Sequence, residues 1–445
     1  MATGDYERAH DLAWRAVQRG PRNDAALMYL LARAQSLSGR PDDALVMLRR
    51  LVEMGVAVDA STADFRRVRD LPGWSAFARE LSGELRRDKP AAPATEAVVV
   101  SLPSEAGIPE AKPTVVAPQP SVRMNRPFNT APGAPSAAAL AALAALAAPA
   151  APAAPEDPIE PVIVDTAGHF SSPDFAPGGL ACDGVSRRFV FGDRPGRKLR
   201  VVTDGGDSSI DLTRGESAGF LDVMALDVDT TRGDLWVVSA EADGGSATLH
   251  RLQLVSGRVL NGYQAPAAFA AVRPVDLAVT ASGAVVILDA ARPRLLVLRA
   301  GAPALEVLAD LQDEAPVSVA AGSRDGVVYV AHRNGLSRVD LRTRSVTPLG
   351  APARMFLGGI DRLRRHAAEL IGMQAMADGS RRLVRLALDA AGTAVTRLRV
   401  VGVPLPPAGT PALAAFCGDT LAILTGEKAG TAPTEWTLLR IRLAP

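Results

Sequence analysis

The sequence is poor in the residues that usually announce a function. Only 4% of its 445 residues are aromatic, and only two, Cys182 and Cys417, are cysteine. Two thiols cannot build a disulfide framework or, alone, a zinc site. Neither sign of charge prevails: 49 Lys and Arg face 48 Asp and Glu, so no global field would draw in nucleic acid or an anionic membrane. The arginines gather only locally, as in Arg362, Arg364 and Arg365, which read as a solvated strand or turn surface. No run of 18 apolar residues is free of Pro and charge, which argues against a transmembrane helix. The opening residues, MATGDYERAH, are polar and contain no apolar core of a signal peptide. The expectation is a cytoplasmic protein, with the periplasm as the alternative if the N-terminus is truncated or processed.

Motifs of known chemistry are also missing. There is no G-x-S-x-G elbow, no phosphate-binding P-loop and no Cys-x-x-Cys pair. The five histidines, His10, His169, His250, His332 and His366, are scattered, with none at the i, i+4 spacing of a helical metal site. Asp227 and Asp229 in LDVDTTRGD hint at a calcium loop, but the rest of that pattern is absent and a β-turn explains them.

What is present is a chain in three blocks: helical over 1–88, linker over 89–160 and strand-rich over 161–445. In the first, apolar residues recur at helical spacing, as Leu27, Leu30, Leu31 and Ala34, then Leu45, Leu48, Leu51 and Val52. The SGRP segment between them breaks the period and predicts a helix hairpin. Gly4 and Gly39 stand 35 residues apart, as do Ala9 and Ala44. With Pro21, this pattern resembles the tetratricopeptide repeat, whose period is about 34; Met28 stands where that family places a large aromatic. An unrelated helical hairpin is the alternative. Phe65, Val68, Leu71, Trp74, Phe77 and Leu81 predict two short capping helices broken at Pro72-Gly73, packed as core.

Only the second half of the first repeat is present, and about three repeats are needed for independent stability. Either this block docks elsewhere or the chain was shortened. The linker is rich in Pro and Ala and ill suited to a core. Within it, SAAALAALAALAA (136–148) spaces Leu140, Leu143 and Leu146 three apart, which predicts a short tether helix.

From 161 onward, strand-turn-strand units recur. They begin near Gly179, Met224, Val275, Val317, Ile360 and Ala412, at intervals of 42 to 52 residues, each followed by further strands. Six repeats of about four strands predict a six-bladed β-propeller. EPVIVDTAG would supply the outer strand that closes the ring with the last blade, removing exposed sheet edges. Gly178 and Gly179 would serve where the chain crosses a crowded channel mouth. Cys182 and Cys417 fall in neighbouring blades of the closed ring; buried free thiols are the expectation and a disulfide the alternative.

The units GLACDGVSRRFVFGDRPGRKLRVV, MALDVDTTRGDLWVVSAE, VDLAVTASGAVVILDA, GVVYVAHRNGLSRVDL and GIDRLRRHAAELIGMQAM resemble the SMP-30/gluconolactonase/LRE-like group, particularly bacterial members with an N-terminal tetratricopeptide region. The likeness covers roughly residues 175–400 and rests on the order of several weak motifs. It implies one divalent metal, such as calcium, in the central channel, held by oxygen ligands at the starts of inner strands. At the three positions where the resemblance implies those ligands, this chain has Gly178, Val275 and Val317. An apolar ring does not capture a divalent cation. Asp276, Asp289 and Asp361 are the remaining candidates for a rebuilt site; otherwise they cap turns or face solvent.

The reading is therefore a non-catalytic, protein- or ligand-binding propeller without cofactor. Its protein partner would bind through residues 1–88 or a propeller face. One alternative is a lactonase-type hydrolase that uses relocated channel carboxylates and a divalent metal. Another is a metal-independent small-molecule binder with Val275 and Val317 as an apolar wall.

Overall fold

The computed structural model describes residues 3–81 except 22, and residues 159–443 except 214, 270, 313–314 and 428–434. The helices and the ring of strands belong to one compact unit. The linker, with the predicted helix at 136–148, lies outside the described residues.

Helices α1 (Thr3–Arg19), α2 (Ala25–Leu37) and α3 (Pro41–Glu53) follow the predicted hairpin pattern. Asp24 starts α2, its Oδ1 accepting the backbone N–H groups of Ala26 and Leu27 at 3.0 Å. Gly39, at φ +84°, makes the turn that a side chain would strain, and Pro41 then opens α3. Ala44 is fully buried, as close helix packing requires. Its counterpart Ala9 is exposed instead, because no described helix precedes α1. The two short helices are α4 (Arg66–Arg69) and α5 (Trp74–Leu81), and Phe65, Val68 and Phe77 are core.

The remainder is a six-bladed propeller of four-stranded antiparallel sheets. The inner strands, blade 1 to blade 6, are Pro177–Asp183, Asp222–Asp229, Pro274–Val279, Pro316–Ala321, Ile360–His366 and Ala412–Cys417. Closure is as expected: the strand Ile163–Ser171 forms the outer edge of blade 6, with Val164 opposite Ile441. Glu160, just before it, already joins blade 5, bonding Arg385 at 2.8 Å.

The glycines of blade 1 answer to contact rather than to turning. A Cβ on Gly178 would run into the carbonyl oxygen of Val223, and one on Gly179 would lie 2.8 Å from the amide of Leu226. The inner strands of blades 1 and 2 meet backbone to backbone there, and only glycine fits. In blades 1 to 5 the pairing slips near the start of the inner strand, at Pro177/Gly179, Val223/Ala225, Pro274/Asp276, Pro316/Ser318 and Asp361/Arg364. Such bulges re-aim side chains around the channel mouth.

The structure corrects two expectations. Cys182 and Cys417 are not free thiols; they form a disulfide between the inner strands of blades 1 and 6, with Cα atoms 5.4 Å apart. Asp227 does not cap a turn; its Oδ2 accepts the N–H of Val279 at 2.9 Å, linking blade 2 to blade 3. Asp229 does cap its turn, accepting from Thr231 and Arg232.

The helical block is docked. Trp14 donates its indole N–H to the carbonyl of Thr230 at 3.0 Å. Arg40 reaches Oδ1 of Asp234 at 3.0 Å, and Arg251 holds the other oxygen, its Nε at 2.8 Å. The N–H of Ser256 donates to Asp43 at 2.8 Å, and Arg258 pairs with Asp42 at 3.2 Å. One apolar cluster runs from Trp14, Leu31 and Leu48 into Leu235, Leu254 and Val255 of blade 2. The incomplete repeat thus finishes its core on the propeller's hairpins.

Candidate functional site: a charge network in the central channel

Inner-strand side chains converge on the channel, and charged groups dominate there. Asp276 of blade 3 is buried and ion-paired with Arg364 of blade 5, Nη1 to Oδ2 at 3.0 Å and Nη2 to Oδ1 at 3.3 Å. Its carboxylate also accepts the Ser318 hydroxyl at 2.6 Å and the N–H groups of Val319 and Leu277. Arg364 spends its remaining donors on the carbonyls of Ala414, at 3.0 Å, and Leu363, at 2.7 Å. Blades 3, 4, 5 and 6 are thereby tied across the axis. Burial works against the charge on Arg364, but Asp276 holds its pKa above the ordinary value.

Around this pair lie groups whose charge burial disfavours. Asp227 is pushed up to about 6 by burial, although Arg364 is close. Asp361 is also raised by burial, and its Oδ1 is buried without a hydrogen-bond partner. Arg362 is lowered by burial and donates from Nε to the carbonyl of Ala412 at 2.9 Å. Its backbone has φ +50°, a left-handed conformation that a non-glycine residue adopts at a cost. The arginines of the IDRLRRH segment read as a solvated surface from sequence; Arg362 and Arg364 are instead partly buried in the channel.

The three candidate aspartates do not meet. Asp276 is committed to Arg364, Ser318 and backbone amides. Asp289, on the neighbouring strand, is not bonded to Asp276 and instead caps a turn of blade 3 by accepting from Arg273, Ala291 and Arg294. Asp361 and Asp227 are both near enough to Asp276 to feel its charge, but the three converge on Arg364 rather than on a common metal-sized point. Among the described residues no three His, Cys, Asp or Glu side chains gather as a metal site requires. A divalent cation at Asp276 would have to displace a bidentate guanidinium, so the residues present do not fit the metal that the resemblance implies. At the bulge positions, Gly178 offers no donor, Val275 packs partly against the cluster between blades 3 and 4, and Val317 is exposed.

Two Ser–His contacts carry no signal in the sequence. Ser239 and His250 are 2.9 Å apart, and Ser337 and His332 are 3.2 Å apart. Both serines are buried in the blades; burial pushes His250 down to about 4, leaving it a neutral core histidine.

No curated protein matches the chain. Among solved structures, a gluconolactonase from Xanthomonas campestris is 17% identical, with 67% of this chain and 99% of that one covered at a TM-score of 0.43. The calcium-binding protein regucalcin from Agrobacterium tumefaciens is 16% identical, covering 61% and 93% at 0.43. A streptogramin B lyase is 13% identical, covering 64% and 98% at 0.44. Likenesses so distant carry nothing about chemistry, and the propeller stands on its own strand order. No helix among the described residues is long and apolar enough to cross a membrane. Residues 1–57 match the tetratricopeptide repeat family, so the chain joins a helical-repeat block of that type to a six-bladed propeller.

Proposed function

We propose that this is a non-catalytic binding protein, without metal or cofactor, that presents a face of its propeller to a protein partner. One observation carries the reading: the bidentate Arg364–Asp276 pair sits where a channel carboxylate would be needed for a cation. A guanidinium already neutralises that carboxylate, and three further donors saturate it. The docking of α1 and α3 narrows the partner surface. Residues 1–88 spend Trp14, Arg40, Asp42 and Asp43 on the propeller itself, which leaves the propeller's faces as the more available surface. The Cys182–Cys417 bond supports the periplasmic alternative for location, because structural disulfides persist in oxidising compartments.

The test is the thermal melt of the full chain, stripped with chelator, with and without millimolar Ca²⁺, Mn²⁺ or Zn²⁺. A site filled at a hundred times its Kd would stabilise by about 2.7 kcal/mol and move the midpoint by degrees. No movement is expected. A shift with any ion, abolished by Asp276→Asn or Asp361→Asn, would overturn the reading in favour of a hydrolase that uses relocated carboxylates.

A further inference from the structure

Blade 5 opens on a break in the alternation that a strand imposes. In its inner strand, Ile360–His366, pairing slips between Asp361 and Arg364, and Arg362 holds φ +50°. Neighbouring side chains on a regular strand face opposite ways. Here Asp361 and Arg362 each feel the charge of the other and of Asp276. A left-handed non-glycine residue costs free energy, and such strain gathers where a structure clamps a ligand.

The two side chains brought together do not answer each other. They form no ion pair, and Oδ1 of Asp361 is buried without a hydrogen-bond partner. Arg362 spends Nε on the carbonyl of Ala412 at 2.9 Å, and neither of its Nη atoms is bonded among the described residues. Arg381, whose charge also reaches Asp361, gives Nη1 to the carbonyl of Thr410 at 3.1 Å, while its Nε is buried and unpartnered. A buried polar group without a partner costs free energy, and here an acceptor and donors are left over in one place. Burial raises the pKa of Asp361 and lowers that of Arg362, so neither charge has a counter-charge close enough to hold it. Asp276 cannot serve, because Arg364 and Ser318 already occupy it.

A ligand that satisfied both groups would carry an ammonium for Asp361 and a carboxylate for Arg362. Such a zwitterion adds no net charge where Asp227, Asp276 and Asp361 already face Arg362, Arg364 and Arg381. Beside the arginines lies a groove with Pro404, Leu405, Pro406, Thr410 and Thr425 among its walls. Thr410 accepts from Arg381, and Thr425 pairs with Ala412, which accepts from Arg362. We propose that this end of the channel binds a free α-amino acid with an apolar side chain. Its ammonium donates to Asp361, its carboxylate accepts from Arg362 and Arg381, and its side chain lies on the prolines and Leu405. The site is separate from the protein partner proposed above and needs no metal.

Isothermal titration calorimetry of the full chain, with chelator present, tests it with L-phenylalanine and L-leucine. Two controls each lack one charge: phenethylamine has no carboxylate, and hydrocinnamate has no ammonium. Asp361→Asn and Arg362→Gln should each weaken amino-acid binding about tenfold or more, since each removes a charge-assisted hydrogen bond. Asp361→Asn should melt no lower than the parent, because it removes a buried carboxylate that nothing answers. Its loss of binding is then a loss of the site and not of the fold. No binding of either amino acid at millimolar concentration overturns the proposal. So does equal affinity of the parent and Asp361→Asn, or a control that binds as tightly as L-phenylalanine. Binding that appears only when Ca²⁺ replaces the chelator also overturns it, since a metal would then hold the carboxylate.

Discussion

The indole of Trp14 lies flat on Gly233: a Cβ at that glycine would stand 2.9 Å from the ring carbons Cδ2 and Cε2. Gly233 also has φ +69°, in the turn between the first two strands of blade 2. Two demands, space for a ring and a left-handed backbone, fall on one residue. Gly233→Ala should therefore lift α1 off the propeller and lower the melting midpoint of the full chain. Trp14→Ala, which empties a fully buried site, should cost about 3–5 kcal/mol. Limited proteolysis would show it as cleavage within residues 3–81 well before the propeller is cut. A Gly233→Ala chain as protease-resistant as the parent would contradict the docking.

Docking should also respond to pH through Asp43, which burial pushes up from 3.8 to about 6, with Ser256, Arg40 and His10 acting against the shift. The folded chain keeps a proton there that the unfolded chain has released. Its stabilising contribution is full below 3.8 and is lost as pH rises through about 6. Asp227 titrates in the same sense, and His250, depressed to about 4, in the opposite one, losing stability as pH falls. The comparison that isolates Asp43 is the parent against Asp43→Asn. The parent should lose stability relative to the variant between pH 5 and pH 7 in paired melts, and parallel curves would refute the assignment.

In the channel, Arg364→Leu strands Asp276 beside Asp227 and Asp361. Breaking a buried pair from one side should cost about 3–5 kcal/mol in a denaturant or thermal melt. Asp276→Leu with Arg364→Leu together should cost clearly less than the two single changes summed, because neither charge is then left alone. Strict additivity would mean that the two residues do not interact.

Reduction should weaken the seam of the ring. The Cys182–Cys417 bond spans 235 residues of sequence, so opening it frees a long loop in the unfolded chain. Cys182→Ser, or reductant, should lower stability by about 2–5 kcal/mol. Equal melts with and without reductant, with free thiols confirmed by titration, would show that the bond adds nothing.

Much of the ring was legible because its signal is periodic. Alternating apolar runs bounded by Asp, Gly and Arg turns recur at blade spacing, and the expected starts at Val275, Val317, Ile360 and Ala412 fall within a residue of the inner strands. The channel was not legible for the opposite reason. Arg364 and Asp276 are 88 residues apart, and nothing local separates a guanidinium that crosses an axis from one that faces water. Strand spacing puts the cysteines in adjoining blades, but their distance is a property of closure, which strand patterning does not measure. The bulge at Asp361 and Arg362 left no trace at all, since a slip in pairing has no period. The helical block lay between these cases. Its repeat was readable, and its shortage of partners raised the question of docking. The answer needed Gly233, whose role is visible only with Trp14 above it.

Closure of the ring has a consequence for damage. The strand Ile163–Ser171 and the strand Glu435–Arg442 are partners, so the first and last parts of the propeller hold each other by backbone pairing. The disulfide encloses most of what lies between. A single cut in any hairpin between Cys182 and Cys417 would leave both fragments covalently joined and every blade still paired to its neighbour. Such a nicked chain would run as one band without reductant and as two with it, while its fold persists.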